Sequence, residues 1–203
     1  MISVGMFLRP GFLVEQTQDK QSAISVSEQR GVAISLAESA AVFPIAEYAT
    51  RRTKKIFGQY VDDGRFLGYH TGEDIEYEDE AAEVPVVSIA DGVVRFSGWV
   101  AGYGGVIVIA HTVGQDSVNA LYGHLDIDSA KVKIGETVRP GQFLANLGEH
   151  NSDETDGRRK HLHFGLYRGL ALQFLGYVKD PQELSNWIGP NYFFDFYGVL
   201  PRQ

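Results

Sequence analysis

From residue 85 to residue 147 the chain alternates short apolar runs with glycine-bearing turns. Residues 86–90, 93–97, 106–111, 120–125 and 132–145 are each rich in Val, Ile, Leu, Phe or Tyr, the composition and length of strands rather than helices. Asp91-Gly92 falls between the first two runs and is a strong short-range hairpin signal. Short strands at near-regular spacing predict a mainly β domain, a sandwich or barrel of antiparallel sheets. Two further alternating runs, 22–27 and 32–36, flank Arg30-Gly31 and predict a hairpin in an N-terminal appendage.

After Gly169 the pattern changes. Asp180-Pro181-Gln182-Glu183 has the order of an N-cap, a proline at the first helical position and an acidic residue in the first turn. It predicts a short helix to about Ile188, stopped by Gly189-Pro190. Trp187, Tyr192, Phe193, Phe194, Phe196 and Tyr197 follow and are expected to pack on the β core. If they were exposed together they would mark an oligomer interface.

Composition narrows the possible functions. The chain has 203 residues, of which 44% are hydrophobic, enough for a sizeable core. Its formal net charge of −8 argues against a nucleic-acid partner. Cysteine is absent, which removes disulfides, thiolate nucleophiles and every Cys-based zinc site. A metal would have to be held by His, Asp or Glu. No apolar run approaches the roughly 20 residues that span a bilayer, so no transmembrane segment is expected in this chain. Residues 1–18 lack the basic and apolar regions of a signal peptide, so the signal or anchor of an exported protein would lie outside it.

Two charged stretches stand out. The basic run 51–55 reads as solvated surface. The acidic run of Glu73, Asp74, Glu76, Glu78, Asp79, Glu80 and Glu83 reads as a solvated loop or, more sharply, as a rim attracting a cationic substrate.

The candidate chemistry lies in histidines. In His161-Leu162-His163-Phe164 a strand's period of two puts both imidazoles on one face. His70 and Asp74, four residues apart, lie between Gly68 and Gly72, which favour a tight turn entering a strand. If that turn faces the His161–His163 strand, three ligands can surround a zinc ion and leave its fourth tetrahedral position open, as in catalytic sites. Zinc would acidify a water and polarise a carbonyl, and a remaining histidine could carry the proton. Spacing alone leaves open which of His161 and His163 is the ligand. His111, at the end of an apolar strand, reads as a hydrogen-bonded structural histidine. His150, in a polar loop, is given no role.

The segment Gly68-Tyr69-His70-Thr71-Gly72-Glu73-Asp74-Ile75 resembles the His-x3-Asp motif of the lysostaphin/LytM-like zinc endopeptidases. Asp91-Gly92-Val93-Val94, Tyr103-Gly104, Leu121-Tyr122-Gly123-His124-Leu125, Ile134-Gly135-Glu136-Thr137-Val138 with Pro140-Gly141-Gln142, and His161-Leu162-His163-Phe164 follow in that family's order. The resemblance covers about residues 57–170. It implies a peptidase domain there, between an N-terminal appendage (1–56) and a C-terminal extension (171–203). It also implies a lysostaphin-type fold, related to the duplicated hybrid motif, with a substrate groove. His70, Asp74 and His163 would bind Zn2+, and His124 and His161 would be the catalytic histidines. The implied activity is cleavage of peptidoglycan stem peptides or cross-bridges outside the cytoplasm.

Two features depart from the family pattern. The tyrosine that some members place six residues before the first ligand is Gly64 here, leaving Tyr60 or Tyr69 to assist the oxyanion. The loop 149–160 is more charged than a short Gly/Ser loop, which bears on cross-bridge specificity. A competing reading is a non-catalytic LytM-like regulator that binds and activates another wall hydrolase. Such relatives typically lose zinc ligands, whereas all five positions are filled here. A third reading, a swinging-arm carrier built on 132–145, needs a lysine at a hairpin tip, and Lys131 and Lys133 lie at a strand start.

Overall fold

The structure, a computed structural model, describes residues 41–169 and 171–199. The hairpin expected at 22–36 lies outside the described residues. The strands are β1 (Thr53–Lys55), β2 (Tyr60–Asp62), β3 (Leu67–His70), β4 (Gly72–Glu76), β5 (Pro85–Val87), β6 (Gly92–Val100) and β7 (Gly104–Val113). They continue with β8 (Asp116–Asp126), β9 (Thr137–Val138), β10 (Phe143–Leu147), β11 (His161–Arg168), β12 (Tyr177–Val178) and β13 (Trp187–Ile188). Among the described residues the main sheet runs β1-β4-β11-β8-β7-β6-β9, with β10 on β5 and β8, and β13 on β11. A smaller sheet has the order β12-β3-β2. Its pairings and those of the main sheet are antiparallel. The mainly β, lysostaphin-type architecture expected from the sequence is present.

The uninterrupted apolar run in β7 follows from burial on both faces. Ile107 and Ile109 point into the main core with Tyr122, Phe164 and Phe194. Val106 and Val108 point the other way, into a smaller cluster with Tyr103 and Leu121. The second cluster underlies the cleft described below. Residues from Ala41 onward also belong to the main core, which includes Ile45 and Tyr48.

Two local expectations are corrected. Asp91-Gly92 does not close a hairpin, because β5 pairs with β10 while β6 pairs with β7 and β9. Neither residue has the positive φ that a two-residue type I′ turn requires at both positions. Gly92 is needed for closeness instead, since a Cβ there would lie 2.5 Å from His111 Nδ1 and 2.7 Å from the Ala110 carbonyl.

The predicted α-helix at 181–188 is a 3-10 helix, Pro181–Asn186. Asp180 does cap it, accepting from the Gln182 N–H at 2.9 Å. Trp187 and Ile188 then leave the helix to pair with Tyr167 and Leu166 of β11, where both are buried. Gly189-Pro190, expected as a stop, begins the helix α1 (Pro190–Phe196), a start suited to proline's missing N–H. The aromatic cluster divides: Trp187, Phe193 and Phe194 are buried, while Tyr192 and Phe196 are each 66% exposed.

Candidate metal centre

The centre forms where the small sheet meets the large one. His70 ends β3, and one residue later the chain enters the main sheet as β4. Asp74 of β4 lies directly opposite His163 of β11, and Glu76 opposite His161. The alternation of both strands puts these four side chains on one face. Gly72, also on that face, must lack a side chain, because a Cβ would come within 2.5 Å of the Phe164 carbonyl and 2.9 Å of His163 Nε2.

His70 Nε2, Asp74 Oδ1 and His163 Nδ1 form a nearly equilateral triangle. The edges are 3.1 Å between the imidazole nitrogens, 3.2 Å from His70 to Asp74 and 3.0 Å from His163 to Asp74. Metal bonds of about 2.0–2.1 Å in tetrahedral directions put neighbouring ligand atoms roughly 3.3 Å apart. The triangle therefore fits a small tetrahedral cation, and two imidazoles with one carboxylate are ordinary zinc donors. All three residues are buried.

Burial alone would raise the Asp74 carboxyl, but the His161 and His70 rings and hydrogen bonds from His163 and His70 hold it well below the usual carboxylate range. Desolvation pushes the His163 and His124 imidazoles down, and His161 down to about 3. The resulting state at neutral pH, an ionised Asp74 beside the neutral imidazoles of His163, His161 and His124, suits a cation.

His161 lies beside the triangle, its Nε2 3.7 Å from Asp74 Oδ2. Its Nδ1–H donates to the Arg159 carbonyl at 2.7 Å, so Nε2 keeps its lone pair towards the centre. His124 reaches the same place by an irregularity. Gly123 lies opposite His163, so simple alternation would send His124 to the other face. A register shift opposite Gly105 and Val106 makes His124 the extra residue of a bulge, with φ +66°. This turns the ring towards His161, 4.2 Å between centroids.

Several residues given no role in the sequence reading complete the site. Arg159 donates from Nη2 to Asp74 Oδ2 at 2.9 Å and from Nε to both Glu76 oxygens at 2.8 and 2.6 Å. It thereby occupies the outer oxygen of Asp74 and leaves Oδ1 for the triangle. The buried Lys160 ties the start of β11 to the Ala82 carbonyl and to Glu149. Tyr103 lies with its hydroxyl 3.4 Å from His163 Nε2. Tyr177, of β12, packs 5.1 Å from the His70 ring.

A cleft of about 310 Å³ opens over the centre, and both Tyr103 and Tyr177 line it, whereas Tyr60 and Tyr69 do not. Tyr60 packs on Tyr69 away from the cleft. The acidic run is not its rim either. Asp74 is the one member that lines it, Glu73 and Glu76 are buried, and Asp79 pairs with Arg51. His111 is hydrogen-bonded in the core, apart from the cleft.

The family model for peptidase family M23 matches residues 53–174, and the chain belongs to that family. Over 104 residues it is 36% identical to the murein hydrolase activator EnvC of Escherichia coli, covering 51% of this chain and 20% of the relative. Over 100 residues it is 34% identical to an uncharacterised protein of Haemophilus influenzae, covering 49% of this chain and 22% of the relative. The chain thus spans about a fifth of the length of the curated relatives it matches. Among solved structures it resembles lysostaphin, with a TM-score of 0.52 at 22% identity, over 79% of this chain and 57% of that one. It also resembles a chain of the SpoIIIAH–SpoIIQ complex, with a TM-score of 0.53 at 17% identity, over 75% and 99%. These two likenesses are of fold. No helix among the described residues is long and apolar enough to cross a membrane.

Proposed function

We propose that the chain is a zinc-dependent endopeptidase that hydrolyses peptide bonds in peptidoglycan stem peptides or cross-bridges, outside the cytoplasm. The observation that carries this reading is the 3.0–3.2 Å triangle of His70, Asp74 and His163 with the free Nε2 of His161 beside it. Zinc held there would polarise the scissile carbonyl and acidify a water. His161 Nε2, whose lone pair is left towards the centre because Nδ1–H donates to the Arg159 carbonyl, is the base that takes the water's proton and returns it to the leaving amine. His124 supplies a second imidazole for orienting the water and for the oxyanion, with the buried Tyr103 hydroxyl nearby. The peptidase unit is residues 57–170, with 1–56 as appendage and 171–203 closing one side of the cleft through Phe174, Leu175, Gly176 and Tyr177.

The similarity to a murein hydrolase activator favours a second reading, in which the groove binds a wall hydrolase instead of cutting peptide. The filled ligand triangle supports the first. Zinc analysis of the purified chain, with fragment release from purified peptidoglycan by wild type and His163→Ala, separates them. The endopeptidase reading expects about one zinc per chain and release by wild type alone. Release by both, or by neither, removes it.

A further inference from the structure

The wall of the cleft has a charge opposite to that of the chain. The whole sequence carries −8, yet Lys55, Arg65, Arg158 and Arg159 line the cleft against a single carboxylate, the proposed ligand Asp74. Three of these cations crowd one aromatic ring. Arg158 Cζ lies 4.5 Å, Arg65 Cζ 5.4 Å and Lys55 Nζ 5.5 Å from the Phe66 centroid. Tyr177 stacks on the same ring, with centroids 5.1 Å apart and planes at 18°. The electron-rich faces of the rings offset part of the repulsion between like charges.

Carboxylates offset most of the rest, but not at Arg158. Lys55 has Asp63 at 3.2 Å, Arg65 has Asp156, and Arg159 has Asp74 and Glu76. Among the described residues Arg158 has no ion pair, and its Nε and Nη2 are buried without a hydrogen-bond partner. Those two N–H groups lie side by side on a guanidinium and form the fork that grips a carboxylate with two parallel bonds. Two buried guanidinium donors left idle are costly unless a ligand completes them.

We propose that Arg158 is the anchor for a free carboxylate of the peptide bound in this cleft, so that the site selects acidic peptides over neutral or amidated ones. The fork is closed to solvent in the free protein. A carboxylate entering along the cleft reaches it as the guanidinium turns off Phe66, exchanging one cation–π contact for two charge-assisted hydrogen bonds. Lys55 and Arg65, already paired, add field rather than contact. The inference rests on the peptidase reading for cleavage, but not for binding.

The test uses the zinc-loaded full chain and a labelled stem peptide with its C-terminus amidated, Ala-γGlu-Lys-Ala-NH2, beside the same peptide with its glutamyl carboxylate also amidated. Fluorescence anisotropy gives both affinities, and fragment release is scored in the same samples. Wild type should bind the acid at least about tenfold more tightly than the amide, as expected for loss of a bidentate charged pair. Arg158→Gln should bring that ratio close to one, with zinc content unchanged and a thermal midpoint no lower than that of wild type. Arg158→Lys, which keeps the charge without the fork, should fall between. A wild-type ratio near one, or a tenfold ratio surviving in Arg158→Gln, overturns the anchor. If wild type prefers the acid but cuts neither peptide, the hydrolase reading falls and the anchor stands. If it cuts both alike, the anchor falls and hydrolysis stands.

Discussion

Asp74 and His163 stand directly opposite each other across β4 and β11, with Oδ1 and Nδ1 3.0 Å apart. Cross-strand register, rather than a loop, sets this spacing, so the proposed zinc site is held by the ladder of the main sheet. Asp74→Asn keeps the shape and removes the charge. We expect it to fold and to lose zinc affinity by at least about 100-fold, beyond the 10–100-fold typical of an outer-sphere change. Chelator competition measures this directly. Thermal unfolding gives an independent readout: wild type should gain about 4 kcal/mol at a free zinc concentration of 1,000 times its Kd, and the variant no more than about 1.4 kcal/mol at the same concentration. Equal gains in both would remove Asp74 from the ligand set.

His124 offers a separation of function from stability. Its φ of +66° is left-handed, a region that costs a residue with a Cβ roughly 1–2 kcal/mol. His124→Ala and His124→Gly both remove the imidazole, but only glycine relieves the backbone. Peptide release should be lost in both, while Gly should be more stable than Ala by about 1 kcal/mol in urea titrations, reversing the usual order within a strand. If Ala proved the more stable, the bulge would not be holding strain.

The contrast between these residues shows how far the sequence could be read. His161 and His163 were legible as a same-face pair because their strand alternates regularly, and His70 and Asp74 as near neighbours in the chain, but which imidazole of the pair would be a ligand was given only by resemblance. His124 was reached only by resemblance, since period-two reasoning sends it to the wrong face and a bulge corrects it. Arg158, Arg159 and Lys160 read only as the end of a charged loop leading into the His161–His163 strand. Their roles depend on partners far away in sequence, Glu76, Phe66 and Ala82, which no local pattern announces. Asp91-Gly92 misled for a related reason: a hairpin signal is local, whereas the strands on either side found better partners elsewhere in the sheet.

Arg159 joins Asp74 and Glu76 in a group whose side chains are 12%, 4% and 8% exposed. A buried charge network of this kind is costly to break from one side, because the remaining charges lose their compensation. Arg159→Met fills similar space without charge and leaves two carboxylates facing each other. In the presence of a chelator we expect a loss of about 3–5 kcal/mol in urea unfolding. Restoring zinc should recover part of this, since the ion takes over compensation of Asp74 but not of Glu76. A loss under about 1 kcal/mol would mean that the network is solvated like a surface pair.

His111 gives the stability a pH dependence that is separate from the metal centre. Burial pushes this imidazole down to about 4, against hydrogen bonding to the Asp91 carbonyl, which acts in the opposite direction. Nδ1–H donates to that carbonyl at 2.9 Å, and Nε2 accepts from the Tyr122 hydroxyl at 3.3 Å. The neutral ring is therefore fully satisfied, and a second proton would have to displace the tyrosine's. The folded state resists protonation that the unfolded chain accepts near pH 6.5. The contribution is complete above that value, declines as pH falls, and is exhausted once pH passes below about 4. The total is on the order of 3 kcal/mol. Urea unfolding between pH 7.5 and 4.5, with chelator present throughout, should show this decline in wild type and a shallower one in His111→Gln. Because the chelator removes any metal contribution, parallel slopes in the two proteins would place the acid sensitivity elsewhere in the fold.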